Sequence, residues 1–114
     1  MKRETWHNNF LLSLRELADP EAQRRSWLHG DESRIPPPVE LLSQVFDDSG
    51  IADLLDEGLV FSDKADKALS NLNRLTTGIN LDQPLEKLLG SELWLQITRL
   101  AATALRAIEE SLED

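Results

Sequence analysis

"SELWLQITRLAATALRAIEESL", residues 91–112, decides the fold class. Its apolar side chains return at Leu93, Trp94, Ile97, Leu100, Ala101, Ala104, Leu105 and Ile108, and Leu112 extends the series. Intervals of three and four place these residues on one face of an α-helix, where a strand would show strict alternation. Ser91 stands just ahead of the run and is the right residue type for an N-cap, because its hydroxyl can accept one of the unpaired backbone N–H groups of the first turn. The reading puts Trp94, Ile97, Leu100, Ala101 and Leu105 at the centre of the core.

The same period continues upstream. Asp82 and Pro84 open a short helical turn bearing Leu85, Leu88 and Leu89, which Gly90 stops. Ser62 caps a helix that buries Ala65, Ala68, Leu69, Leu72 and Leu75, with Gly78 past its end. Trp6, Phe10, Leu14 and Leu17 recur at helical spacing, and Thr5 is the candidate cap. Asp19-Pro20 restarts the chain, with an Asp cap followed by a Pro at the first helical position. That second helix runs to about Leu28, buries Ala22 and Trp27, and is closed by Gly30. Residues 30–37, GDESRIPP, form a loop, since each proline pushes its predecessor into extended geometry. Pro38 then opens a helix with Val39, Leu42, Val45 and Phe46 as its apolar stripe. Ser49 caps a short helix over about residues 51–57, ended by Gly58. No alternating run and no Asn-Gly or Asp-Gly hairpin signal is present. The expected architecture is all-α: a single-domain bundle of about six or seven helices over residues 1–114, with short connections.

Composition narrows the function classes. At 114 residues the chain is one domain by length, large enough to bury a core without metal or disulfide staples. It contains no cysteine, which excludes disulfides, thiolate metal sites and thiol chemistry and fits a cytoplasmic protein. The opening MKRETWHNNFLLSLREL has no unbroken apolar run and reads as neither a signal peptide nor a membrane span. The net charge of −9 is unevenly placed. Residues 1–34 balance six acids with six bases, whereas residues 35–66 set eight acids against Lys64 alone. Such a surface repels phosphate and anionic lipid and attracts basic proteins, so neither nucleic acid nor a membrane is the expected partner.

No catalytic constellation can be assembled. His7 and His29 stand outside any metal spacing and read best as exposed or cap residues. There is no phosphate-binding glycine loop and no nucleophile elbow. Asp47-Asp48-Ser49-Gly50 invites a calcium reading, but the acids are adjacent and the Gly sits at the wrong offset for an EF-hand. The alternative is that Asp48 or Ser49 caps the next helix. The expectation is a non-enzyme that needs no cofactor and no metal. Trp6 and Trp94 read as core anchors. Trp27, near the end of a short helix, is either a core residue or part of an interface.

The acidic stretch VFDDSGIADLLDEG, residues 45–58, is the best lead on function. On its helix Ile51, Leu54 and Leu55 point one way, while Asp53, Asp56 and Glu57 share the other face at i, i+3 and i+4. Like charges at that spacing destabilise an isolated helix by roughly 0.2–0.5 kcal/mol per pair. Asp56 and Glu57 also stand in the last turn, where the helix dipole disfavours an anion by about 0.3–1 kcal/mol. Acids kept against local preference are the kind of rule-breaking expected at functional sites, although the C-terminal EESLED, residues 109–114, breaks the same rule as a tail does freely. Two readings stand at this point, a partner-binding face or a plain solvated one. In the first, the contact residues are Asp47, Asp48, Asp53, Asp56 and Glu57, with Trp27 and Phe46 as the nearest large anchors.

Three segments in order, "QRRSWLHG" (23–30), "PPPVELLSQVFDDSGI" (36–51) and "LLGSELWLQITRLAATALRAIE" (88–109), give the chain a further character. This arrangement resembles the small helical immunity proteins of bacterial contact-dependent growth inhibition and related polymorphic toxin systems. The resemblance implies a non-enzymatic inhibitor that binds one cognate toxin domain in the cytoplasm, often a nuclease, and blocks its active site or substrate surface. No contact residue carries over from it; the acidic stretch is chosen on charge. Beside it stand a small acidic adaptor that binds a basic host protein, in one form as a nucleic-acid mimic, and a helical enzyme or metal-binding domain with an unrecognised site.

Overall fold

A computed structural model of the chain describes residues 2–28, 35–48 and 50–112, with side chains for all of these but 2–7, 48, 52 and 112. Within them lie seven α-helices: α1 (Lys2–Leu17), α2 (Pro20–Leu28), α3 (Pro38–Ser43), α4 (Ile51–Glu57), α5 (Asp63–Thr77), α6 (Leu85–Gly90) and α7 (Glu92–Leu112). A π-helical turn, Gln44–Asp48, continues α3. The protein is an all-α bundle with no strand among the described residues. Among them, too, no helix is long and apolar enough to cross a membrane.

The helix starts follow local chemistry. Asp19 Oδ1 accepts the Ala22 N–H at 3.0 Å, and Pro20 is the first residue of α2. Ser62 Oγ accepts from Ala65 N–H at 3.1 Å, and Ser91 Oγ from Trp94 N–H at 3.2 Å. The Ser91 hydroxyl also donates to the Leu88 carbonyl at 2.8 Å, tying the end of α6 to the start of α7. Elsewhere the starts differ from expectation. α1 begins at Lys2, so Thr5 lies inside it. The N-cap residue of α4 is Gly50, in the left-handed conformation at φ 73°, while the expected cap Ser49 lies outside the described residues. So do His29, Gly30, the loop up to Arg34, and the side chains of Trp6, His7 and Leu112.

α5 and α7 form the central pair. Lys64, in the first turn of α5, reaches Glu110 near the end of α7 at 3.7 Å, so the two helices run antiparallel. α1 packs against α7 as well. The core gathers Phe10, Leu14 and Leu17 of α1, Leu41, Val45 and Ile51, Leu69 and Leu72 of α5, Leu88 and Leu89, and Trp94, Ile97, Ala101, Ala104 and Ile108 of α7.

Two expected faces are rotated. On α7, Leu100 and Leu105 are only half-buried, and the covered line runs Trp94–Ile97–Ala101–Ala104–Ile108. The small side chains at 101 and 104 allow neighbouring backbone to approach closely, which leaves the bulkier leucines on the flanks. On α3, Val39 is 62% exposed. Pro38, Leu41, Leu42 and Val45 form the buried line, at the offsets i, i+3, i+4 and i+7 of a single helix face. Including Pro38 in that face turns Val39 outward.

One buried polar residue joins three elements. Gln23 of α2 has no exposed surface. Its Nε2 donates to the carbonyls of Glu16 and Leu17 at the end of α1, at 2.8 and 2.9 Å. Its Oε1 accepts the Trp94 indole N–H at 2.9 Å. Carbonyls at a helix C-terminus lack intrahelical donors, so this side chain supplies what the backbone cannot.

Candidate functional site

The acidic segment is built from the end of α3 through α4. Val45 is fully buried and Phe46 is 6% exposed, which pins the π turn to the core. Asp47 follows on the outside, its Oδ2 accepting from the Ser43 hydroxyl at 3.4 Å. The chain reverses at Gly50, whose N–H bonds the Asp47 carbonyl at 3.2 Å. Ile51 re-enters the core with no exposed surface, and Leu54 and Leu55 are half-buried. Asp53, Asp56 and Glu57 are exposed, as the helical spacing requires once Ile51 faces inward. The side chain of Asp48 lies outside the description.

The structure therefore brings Asp47, Asp53, Asp56 and Glu57 to the surface of one short segment. Among the described residues, no ion pair reaches any of the four. The basic side chains that do pair go elsewhere: Arg15 with Glu109 at 3.9 Å, Arg25 with Glu21 at 3.3 Å, and Lys64 with Glu110. Asp66, counted in the same acidic balance, has a different job. Its carboxylate accepts the N–H groups of Val60 and Phe61 at 2.6 and 3.0 Å, clamping the chain that leaves α4 onto α5.

The two proposed anchors do not join the acids. Phe46 is a core residue whose ring is spent on the fold. Trp27 is half-buried and committed internally. Its indole N–H donates to the carbonyls of Ile35 and Pro36 at 3.1 and 2.9 Å, and its ring lies tilted on Trp94 with centroids 5.9 Å apart. α2, which carries Trp27, packs on α1 and α6, whereas α4 packs on the π turn and α5. Sequence spacing could not separate these roles, because a large apolar residue near a helix end fits a core and an interface equally well.

Beside the acids the structure shows a feature that spacing did not single out. A cleft of about 350 Å³ separates α4 from α5, lined by Leu55, Asp56, Ser70, Asn73, Arg74 and Thr77. The four α5 residues stand at i, i+3, i+4 and i+7, so a polar stripe facing α4 was visible in the sequence once α4 was known to pack there. A second cleft, about 220 Å³, lies between α1 and α2 and is lined by Arg15, Glu16, Asp19, Ala22 and Ile35. Burial raises the pKa of the Glu16 carboxyl above its ordinary value, since a desolvated site disfavours the charged form. The sign follows from linkage: a carboxyl raised in the folded state favours folding at low pH, and that contribution is lost as pH rises through the folded-state pKa. Glu16→Gln is therefore expected to remove that fall, so that urea unfolding from pH 4 to 7 shows the variant gaining on the wild type as pH rises, with no loss of stability at pH 7. Among the described residues no group of three or more His, Asp or Glu is arranged to hold a metal.

No family model, curated protein or solved structure matches this chain.

Proposed function

We propose that this protein is an immunity-type inhibitor, a non-enzymatic binding protein that neutralises a cognate bacterial toxin domain in the cytoplasm through its acidic surface. The observation that carries the reading is the exposure of Asp47, Asp53, Asp56 and Glu57 on one segment with no basic partner among the described residues. Two of these acids occupy the last turn of α4, where a cation would be the stabilising choice. A toxin that acts on nucleic acid carries a basic surface at its active site. An inhibitor of opposite charge is steered to that surface and associates fast, most of all at low salt. The segment order that resembles small helical immunity proteins points to the same class of partner.

The test expresses the reading frames adjacent to this gene in search of a toxin domain that this chain neutralises. Co-expression of this chain should protect cells from it. Reversing Asp53, Asp56 and Glu57 to Lys should leave the helical circular dichroism spectrum unchanged, because all three side chains are exposed. The same variant should slow association by about 10- to 1000-fold at low ionic strength and flatten its salt dependence. An unchanged on-rate with full protection would mean that the acids are only a solvated face.

A further inference from the structure

We propose that the cleft between α4 and α5 is the pocket in which the acidic surface receives an arginine side chain of its basic partner. This rests on the reading above that a basic protein meets this surface, and it supplies what that surface lacks, an anchor. Charge steers association, whereas specificity comes from a few side chains seated in desolvated pockets, and arginine is among the commonest of these. Phe46 and Trp27 are committed to the fold and cannot protrude. A hollow that takes a side chain protruding from the partner is the complementary arrangement.

The cleft, about 350 Å³, shares Asp56 with the exposed acids. Its α5 wall is Ser70, Asn73, Arg74 and Thr77, a polar stripe on a helix whose other face is held in the core by Ala65, Ala68, Leu69 and Leu72. Its α4 wall is Leu55 and Asp56, on a helix held by the fully buried Ile51. Among the described residues no hydrogen bond or ion pair uses the side chains of Asp56, Ser70 or Asn73. The Thr77 hydroxyl donates to the Arg74 carbonyl at 2.8 Å, which leaves its oxygen free to accept. The Asp56 carboxylate, the Asn73 amide oxygen and the two hydroxyls thus place four acceptors around one hollow. A guanidinium carries five N–H donors in a rigid fork and no acceptor, and suits such a set better than an ammonium does. Leu55 offers apolar surface to the methylene stem behind it. Arg74 lines the same cleft, yet among the described residues it forms no ion pair with Asp56, so that carboxylate stays available. It is one base facing Asp53, Asp56 and Glu57 of α4, and the local field still favours a cation.

The test titrates N-acetyl-arginine amide into the full-length chain and follows the backbone amide signals by NMR, with sodium acetate as the anionic control. The arginine probe should move the amides of Leu55, Asp56, Ser70, Asn73 and Thr77 saturably, and acetate should not. Asp56→Asn should weaken that binding at least about threefold. Ser70→Leu, which narrows the cleft without changing a charge, should abolish saturation. Arg74→Gln should leave the affinity unchanged or raise it. All three positions are exposed, so signals away from the cleft report that each variant is folded. Three results would overturn the proposal: no saturable shift, shifts spread equally over Asp47, Asp53 and Glu57 that survive Ser70→Leu, or saturation by acetate that Arg74→Gln removes. The first two leave only a diffuse acidic face, and the third makes the cleft an anion site. No toxin enters these measurements, so their failure removes the pocket and leaves the acidic surface standing. An unchanged on-rate in the charge-reversal test removes the surface and leaves a guanidinium pocket on the free chain.

Discussion

Replacing Trp94 by alanine is expected to destabilise the protein by about 3–5 kcal/mol, the range for removing a large aromatic from a packed core. Trp94 has no exposed surface and is the largest fully buried side chain. Its ring supports Trp27, whose indole holds the Ile35 and Pro36 carbonyls, so truncation also loosens the approach to α3. Its N–H is the donor to the buried Gln23 Oε1. Urea unfolding should show the midpoint falling at nearly constant slope, with a melting temperature lower by more than about 10 °C. Trp94→Phe separates the contributions. It keeps most of the ring volume but strands the Gln23 oxygen, so a loss of about 1–3 kcal/mol is expected from that variant. A Trp94→Ala loss below about 1 kcal/mol would show that α7 is not the centre of the core.

The Gln23→Ala variant should lose about 2–4 kcal/mol although no charge and little apolar surface is removed. The Leu17 carbonyl and the Trp94 indole N–H each lose the partner described here, and a buried orphan costs roughly 1–3 kcal/mol. The Glu16 carbonyl is less affected, because it keeps the Asp19 N–H at 3.3 Å. Gln23→Glu sharpens the test. An ionised carboxylate can accept from the indole but cannot donate to the Leu17 carbonyl, and it brings an unpaired charge into the interior. Burial raises its folded-state pKa, so the variant should be least stable at neutral pH and recover part of the loss as pH falls towards 4. If Gln23→Ala unfolded at the wild-type urea midpoint, the three-way bridge would carry no weight.

Local features were legible and non-local ones were not. The Asp19, Ser62 and Ser91 caps each act across three residues, so the side chain and the N–H it accepts from belong to one turn. Gln23 and Trp94 are 71 residues apart, and nothing in the spacing of either marks the other. Gln23 reads as a polar residue on a short helix until α7 is laid beside it. The candidate site divides the same way. The exposure of Asp53, Asp56 and Glu57 follows from their spacing against Ile51, whereas the roles of Phe46 and Trp27 depend on what lies above their rings.

By itself the sequence determined that this chain is all-helical, where α2, α5 and α7 begin, and that its excess negative charge lies between residues 35 and 66. Each rests on interactions within a turn or two of helix, or on a count. Only the tertiary structure decided that Leu100, Leu105 and Val39 face partly or wholly outward, that Asp66 is a clamp while Asp53, Asp56 and Glu57 face solvent, and that Phe46 belongs to the core. Those outcomes depend on which helix packs against which face and how closely the small side chains of α7 let it approach. Periodicity defines a stripe but not the edge of the stripe that its neighbour covers.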